Sequence, residues 1–319
     1  MSWWDENYTK RIPVTVNSSK IPSNQTDFPC LMDFSNAPAG FFSGVNDGGG
    51  DLRAIKADHS TRLPLEVVSC DTVASTGESY SKIDPFGATD LTFYLYFGNA
   101  GASQPANNDT FGRENVWNSY YDSVWHAETL EDSTSNNRDL TADGATHYAS
   151  GAKIGEKTFL FSDGNSHFDF SPSISIGSRF QVELYIKSNG PMDGICILGG
   201  ESGANDLFFQ RNTDTAERLR IGNGYGNQYI DIDANWRWLV INRDSSNYLS
   251  AWRDNVEEET STSATTQTIT VVQLGDCRYN PSWDMDGSFD ELRVMNQEMT
   301  DDWNTAMWNN LDGNDSFLT

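Results

Sequence analysis

The chain has 319 residues, a formal net charge of −25, 12% aromatic residues and only 21% charged ones. That length can hold two β-rich domains, each burying its own core, and the aromatic content is not that of a disordered chain. The acidity argues against nucleic acid or anionic membrane as a partner, because phosphate binding needs clustered Lys and Arg, and no apolar run reaches the length of a membrane span.

The first segment, Met1-Ser2-Trp3-Trp4-Asp5-Glu6-Asn7, carries acids where a secretory signal carries positive charge, and no apolar stretch follows. Residues 8–17 (YTKRIPVTVN) alternate Ile12, Val14 and Val16 with polar positions and read as a half-buried strand. Residues 28–34 (FPCLMDF) form a second strand, with Pro29 at its start, where a missing N–H is tolerated. The Gly/Asn/Asp-rich run 45–51 is a loop, and residues 51–55 and 63–68 are short strands on either side of a polar turn. Residues 91–97 (LTFYLYF) are the most hydrophobic strand of this half, ended by Gly98-Asn99; the small, polar stretch from 100 to 118 reads as a linker.

In the second half, residues 124–128 (VWHAE) read as an opening strand and 132–137 (DSTSNN) as a loop. Residues 236–244 (WRWLVINRD) are a clear strand, and 249–255 (LSAWRDN) run into a tight Asp-Asn turn. Residues 287–294 (GSFDELRV) form the closing strand. Trp303, Ala306 and Met307, spaced i, i+3, i+4, mark a short terminal helix over 303–310.

The closing strand, Gly287-Ser288-Phe289-Asp290-Glu291-Leu292-Arg293-Val294, resembles that of laminin-G-like, concanavalin A-type β-sandwiches, and the likeness extends over most of 120–312. The first part, through Trp4, Tyr8, Lys10-Arg11, Phe28-Pro29, Asp51-Leu52-Arg53, Leu63-Pro64-x-Glu66 and Tyr94-Leu95-Tyr96-Phe97-Gly98-Asn99, resembles a small domain of unknown function that often precedes such sandwiches in secreted and phage proteins. The expected fold is therefore all-β: two consecutive β-sandwich domains, residues 1–99 and 119–319, joined by a linker at 100–118. The second is expected to be a concanavalin A/laminin-G-like jelly roll. The resemblance places Trp236 in the core and Trp238, two residues on, as core or semi-buried.

Catalytic signatures are sparse. His59, His126, His147 and His167 are the four histidines, and neither a G-x-S-x-G elbow nor an H-E-x-x-H occurs. Retaining glycoside hydrolysis needs two carboxylates about 5–5.5 Å apart, and same-face strand residues at i, i+4 lie about 13 Å apart. The Glu-x-Asp-x-x-Glu spacing of sugar-cleaving sandwiches is absent around Asp284, Asp286, Asp290 and Glu291, and Glu257-Glu258-Glu259 reads as a solvated charge run. Cys30, Cys70, Cys196 and Cys277 lack C-x-x-C spacing, which speaks against zinc; buried free thiols are expected rather than a Cys30–Cys70 pair.

The resemblance implies a structural Ca²⁺ held by Asp132 and Asp290. The competing reading gives Asp132 to a turn, and Asp290 to Arg293 or a backbone N–H. Sugar binding needs flat aromatic faces and planar polar groups. Trp252, Tyr225, Tyr229, Tyr279 and Trp283, with Asn227 and neighbouring Asn223 and Asn280, form the best constellation in the chain. The expected function is non-catalytic glycan recognition, at an extracellular or virion surface as a phage fibre or capsid decoration. The alternatives are a structural virion component contacting other coat proteins, and a polysaccharide-active hydrolase.

Overall fold

In the computed structural model the described residues are 3–85, 87–143, 147–161, 166–189, 194–200, 207–212, 216–221, 224–225, 232–261, 268–276 and 285–318. The chain divides into two compact units, residues 1–119 with 300–319, and residues 120–299.

The first unit carries β1 (Lys10–Val16), β2 (Phe28–Asp33), β3 (Arg53–Lys56), β4 (Leu65–Asp71), β5 (Thr76–Ile83) and β6 (Leu91–Phe97). They form two antiparallel sheets, ordered β1-β6-β3 and β2-β5-β4. In β1 the alternation works as the sequence implies: Val14 and Val16 are buried while Lys10 and Pro13 are exposed. Strand β5 was not expected, because its TGESYSKI sequence has no apolar alternation. It is nonetheless the central strand of its sheet, with Glu78, Ser79, Tyr80 and Ser81 all buried. An aromatic run, Phe34–Phe41–Phe97, with ring centroids 4.9 and 5.1 Å apart, packs inside this unit.

The boundaries of the two units differ from those expected. Residues 100–118 are not a linker: Arg53 Nη2 donates to the Ser103 carbonyl, Asn46 Nδ2 to that of Ala102, and Trp117 Nε1 to Glu66 Oε2 at 2.7 Å. The second unit also stops at Met299 rather than 319. Helices α1 (Asp301–Leu311) and α2 (Asn314–Phe317) belong to the first unit, because α1 buries Trp303, Ala306 and Met307 there. Trp303 meets Phe28 edge-on at 5.1 Å. Asn310 Oδ1 accepts from Leu31 N at 2.8 Å and its Nδ2 donates to Leu31 O at 3.2 Å, so an amide side chain closes the edge of β2 as a strand would. The α1 N-terminus is capped by the Thr300 hydroxyl, which accepts from Trp303 N.

The second unit holds β7 (Tyr121–Trp125), β8 (Asp139–Asp143), β9 (His147–Ser150), β10 (Lys157–Phe161), β11 (His167–Ile176), β12 (Phe180–Ser188), β13 (Gly194–Gly200) and β14 (Leu207–Asn212). It continues with β15 (Ala216–Ile221), β16 (Gly224–Tyr225), β17 (Arg237–Arg243), β18 (Leu249–Arg253), β19 (Val256–Ser261), β20 (Ile269–Leu274) and β21 (Gly287–Met295). Among the described residues these make two antiparallel sheets. One is ordered β19-β18-β17-β12-β21-β10-β9, with β7 also on β21; the other is ordered β16-β15-β14-β13-β20-β11-β8. Their facing sides bury one core that includes Leu184, Leu239, Phe289, Leu292, Phe168 and Val271. This is the expected all-β sandwich. The Asp254-Asn255 turn joins β18 to β19 with both residues at positive φ (50° and 65°), as a two-residue hairpin of type I′ requires.

Strand β21 is central and wholly buried. Gly287 opens it because a Cβ there would run into the Lys187 carbonyl of β12. Arg293 pairs with Glu183 but Asp290 with Tyr185, so β21 carries one extra residue, and Glu291 takes φ = 51° at this bulge. The bulge puts Phe289 and Leu292 into the core while Asp290, Glu291 and Arg293 all leave it.

Candidate ligand-binding end of the second unit

The polar residues of β21 form an enclosed network on the side of the sheet away from the core. Arg293 Nη2 donates to Glu291 Oε2 at 2.7 Å and its Nη1 lies 3.5 Å from Glu183 Oε2; Gln181 Nε2 donates to Glu183 Oε1 at 2.7 Å. His126 Nδ1 lies 2.7 Å from Glu291 Oε1. Burial pushes the Glu183 carboxyl above its usual range against the pull of Arg293, and burial with the adjacent Glu291 charge pushes Asp290 well above it. Perturbed acids of this kind often mark catalytic sites. Here Glu183, Asp290, Glu291 and Arg293 are at most 1% exposed, which leaves a substrate no access to them.

The carboxylates expected to hold calcium are spent on the backbone. Asp132 Oδ1 accepts from Val124 N and Thr134 N, and its Oδ2 from Arg138 N and the Thr134 hydroxyl, all within 3.0 Å. Asp290 Oδ2 accepts from Lys153 N and Ile154 N, and Oδ1 from Glu291 N. A cation needs oxygens turned toward it, whereas these oxygens face N–H dipoles whose positive ends would repel it. The two aspartates as placed do not fit a calcium ion; among the described residues no group of three or more His, Cys, Asp or Glu could hold one. It is Glu291, not Asp290, that pairs with Arg293. Cys30, Cys70 and Cys196 are buried free thiols, and burial drives the Cys70 thiol up to about 11.

Of the expected sugar-contacting residues, Trp252 is buried at 9% exposure, paired with Val240 on one side and Glu257 on the other, so its ring is not a free platform. Tyr225 lies in β16, and its side chain falls outside the described residues. Asn227, Tyr229, Tyr279 and Trp283 lie outside them altogether, as do Asn223 and Asn280.

The described residues that flank those segments nevertheless meet. Ser188 N donates to the Asp233 carbonyl at 2.9 Å, and Asn189 N to the Asp286 carbonyl at 3.0 Å; Asn189 Nδ2 also reaches Asp286 Oδ1 at 2.8 Å. The points from which 226–231 and 277–284 depart are thus tied together at one end of the sandwich. Strand β17 begins there. Arg237 grips Asp233 with Nε and Nη2 (3.2 and 2.7 Å) and Asp254 with Nη1 (2.9 Å), which holds the Asp233 carboxyl well below the usual carboxylate range. Asp254 Oδ1 also accepts from Trp238 N, fixing the hairpin turn to the start of β17.

Trp236 sits at this end, half-buried, with the Lys187 ammonium 4.4 Å from its ring centroid. It is not the core residue that was expected. It precedes the first ladder residue, Arg237, and therefore escapes the sheet's interior. Trp238 is fully buried, but on the face opposite the inter-sheet core to which Leu239 and Ile241 belong. The signal for Trp236 was local: an Asp-Ala-Asn stretch directly before it marks a turn.

No family model and no curated protein matches the chain. Among solved structures it is similar to domain 4 of AbnA, a GH43 extracellular arabinanase from Geobacillus stearothermophilus, in complex with arabinotriose. The identity is 19% and the TM-score 0.49, over 59% of this chain and 97% of that one. It is also similar to the botulinum neurotoxin serotype D ligand-binding domain in complex with N-acetylneuraminic acid (9% identity, TM-score 0.44, 62% of this chain) and to the binding domain of Paraclostridial Mosquitocidal Protein 1 (13%, 0.43, 60%). The chain spans about half the length of these two toxin domains, 52% and 51%.

Proposed function

We propose that the protein is a non-catalytic recognition module that binds a glycan at the loop end of its second unit, displayed at an extracellular or virion surface. The observation that carries this reading is the half-buried indole of Trp236, held by Lys187 beside the residues that flank the segments bearing the loop aromatics and amides. An indole face takes the C–H groups of a sugar ring, while planar amides and carboxylates take its hydroxyls. Asn235, Asp233, Asn189 and Asp286 supply such groups in a prearranged set: Asn235 is bonded to Asp233, Asp233 to Arg237, and Asn189 to Asp286. Prearranged polar groups lose little entropy on binding, which favours recognition over induced closure. Among the described residues, the buried acids Glu183 and Asp290, whose pKa values are raised, lie enclosed in the network on β12 and β21 rather than beside Trp236.

A glycan array that includes arabino-oligosaccharides and N-acetylneuraminic acid-terminated glycans, probed with wild type, Trp236→Ala and Tyr248→Ala, tests this. Tyr248 is an exposed aromatic at the other end of the β17–β18 hairpin. Wild type and Tyr248→Ala are expected to bind the same glycan, and Trp236→Ala to lose about thirtyfold in affinity, the effect of removing a central anchor. Equal binding by all three would move the site away from Trp236. No binding by wild type would favour a structural coat component.

A further inference from the structure

At the loop end of the second unit, Lys187 keeps a positive charge without a counter-charge. Elsewhere in the unit Arg138, Lys157, Arg179, Arg237, Arg253 and Arg293 each hold a carboxylate within 3.7 Å. That is the expected state of a cation in a chain with 46 acidic against 21 basic residues. Lys187 differs. Among the described residues its side chain makes no ion pair and no hydrogen bond, and its ammonium lies 4.4 Å from the centroid of the Trp236 ring. The sheet explains this placement. Ile186 faces the core, so Lys187, the next residue of β12, faces outward. Arg237 pairs with Ile186, which sets Trp236 opposite Lys187 at the end of the ladder.

An aromatic ring attracts an ammonium through its quadrupole but does not neutralise it, so the charge is held in position and stays available. The acids at this end are taken by other donors. Asp233 is gripped by Arg237 and Asn235, Asp254 by Arg237 and Trp238 N, and Asp286 Oδ1 accepts from Asn189 Nδ2. Asp290, on the neighbouring strand β21, faces three backbone amides. A second cation stands on the same outward face: the Lys153 ammonium lies 5.3 Å from the ring of Tyr185, two positions before Lys187 on β12. We propose that the glycan bound at this end carries an oxyanion, a carboxylate or a sulfate, and that Lys187 pairs with it beside the Trp236 ring. This specificity rests on the loop end being the glycan site. A compact ammonium with three donors suits either oxyanion, and its flexible stem lets it turn from the ring to the ligand while the backbone stays in place. The net charge of −25 repels a free anion at long range. Preference for an acidic sugar therefore has to come from a cation in direct contact with it, and Lys187 is placed to be that cation. The competing role for Lys187 is to shield an indole from water with its apolar stem.

The test is biolayer interferometry of the full chain against matched probes: a galacturonic acid trimer and its methyl ester, sialyllactose and its methyl ester, sulfated and unsulfated N-acetyllactosamine, and neutral arabinotriose. Within each pair the members differ in the charged group. Wild type is expected to bind an anionic probe about tenfold more tightly than its uncharged partner, and the pair that responds tells carboxylate from sulfate. Lys187→Met keeps an apolar stem and removes the charge, so it should bring the two affinities of that pair together. Lys187→Arg should retain the preference, which a shielding role does not predict. Thermal melts of each variant report folding. Equal affinities within every pair for wild type, or an unchanged preference in Lys187→Met, overturns the proposal. So does failure to bind any anionic probe. If arabinotriose or another uncharged probe still binds in that case, glycan recognition stands and only the charge preference falls; if nothing binds, both fall.

Discussion

At the scale of single residues, the deciding feature of the second unit is how its buried acids are satisfied. Asp132 gathers three backbone amides and one hydroxyl. Asp132→Ala would leave those donors buried and unpaired, at a cost of about 3 kcal/mol in chemical denaturation, far above a surface Asp→Ala control. Asp290 titrates in the opposite sense from an ordinary salt-bridged acid. Its folded pKa lies above its unfolded one, because burial and Glu291 disfavour the charge. Its contribution to stability is therefore fully present below the unfolded value and is lost as pH rises toward the folded value. Thermal melts between about pH 4 and pH 8 should show the stability of wild type falling with rising pH relative to that of Asp290→Asn, which lacks the titrating group. An equal slope in both would mean that the carboxylate is not the group responsible. The sequence announced Asp132 and Asp290 as notable residues but not their partners. A string of letters shows that an oxygen is present, and only the fold shows whether an N–H or a cation faces it. Trp236 was misread for a related reason: a Trp at a strand's start is core or rim according to whether it lies inside the ladder, a matter of one residue.

At the scale of elements, legibility followed periodicity. Strands β1, β2, β6, β17 and β21 and the Asp-Asn hairpin stood out because apolar alternation or turn chemistry marks them. Strand β5 stayed hidden because its buried positions are Glu78, Ser79 and Ser81, whose burial depends on neighbours distant in sequence. The bulge at Glu291 also lies beyond a two-residue period, yet it alone lets Phe289 and Leu292 share the core while three charged residues leave it. Helix α1 was expected at nearly its true place, but its apolar stripe could not reveal which sheet it covers. Asn310 answers that by pairing with Leu31. Asn310→Ala should cost about 2 kcal/mol, since it strands a buried N–H and carbonyl on β2. Chemical denaturation of the full chain, read alongside residues 120–299 alone, should place the loss in the first unit; a loss seen equally for a matching surface Asn would contradict the role.

At the scale of the whole molecule, two units are interleaved in sequence, since residues 300–319 return to the first. A fragment of residues 120–299 should therefore fold cooperatively by itself, whereas residues 1–119 alone should not, as they lack the α1 stripe and the Asn310 rung. The calcium expectation is tested at this scale too. With Asp132 and Asp290 spent on amides, millimolar Ca²⁺ or EDTA should leave the melting temperature of the full chain unchanged, and a rise with Ca²⁺ would show an ion-binding set elsewhere. The net charge of −25 keeps the surface repulsive to other anions. Recognition of a glycan at the loop end of the second unit is tested by placing the 120–299 fragment on a glycan array in EDTA beside the full chain. Both are expected to bind the same glycan, and Trp236→Ala is expected to lose the signal in both. Binding by the full chain with none by the folded fragment would contradict it.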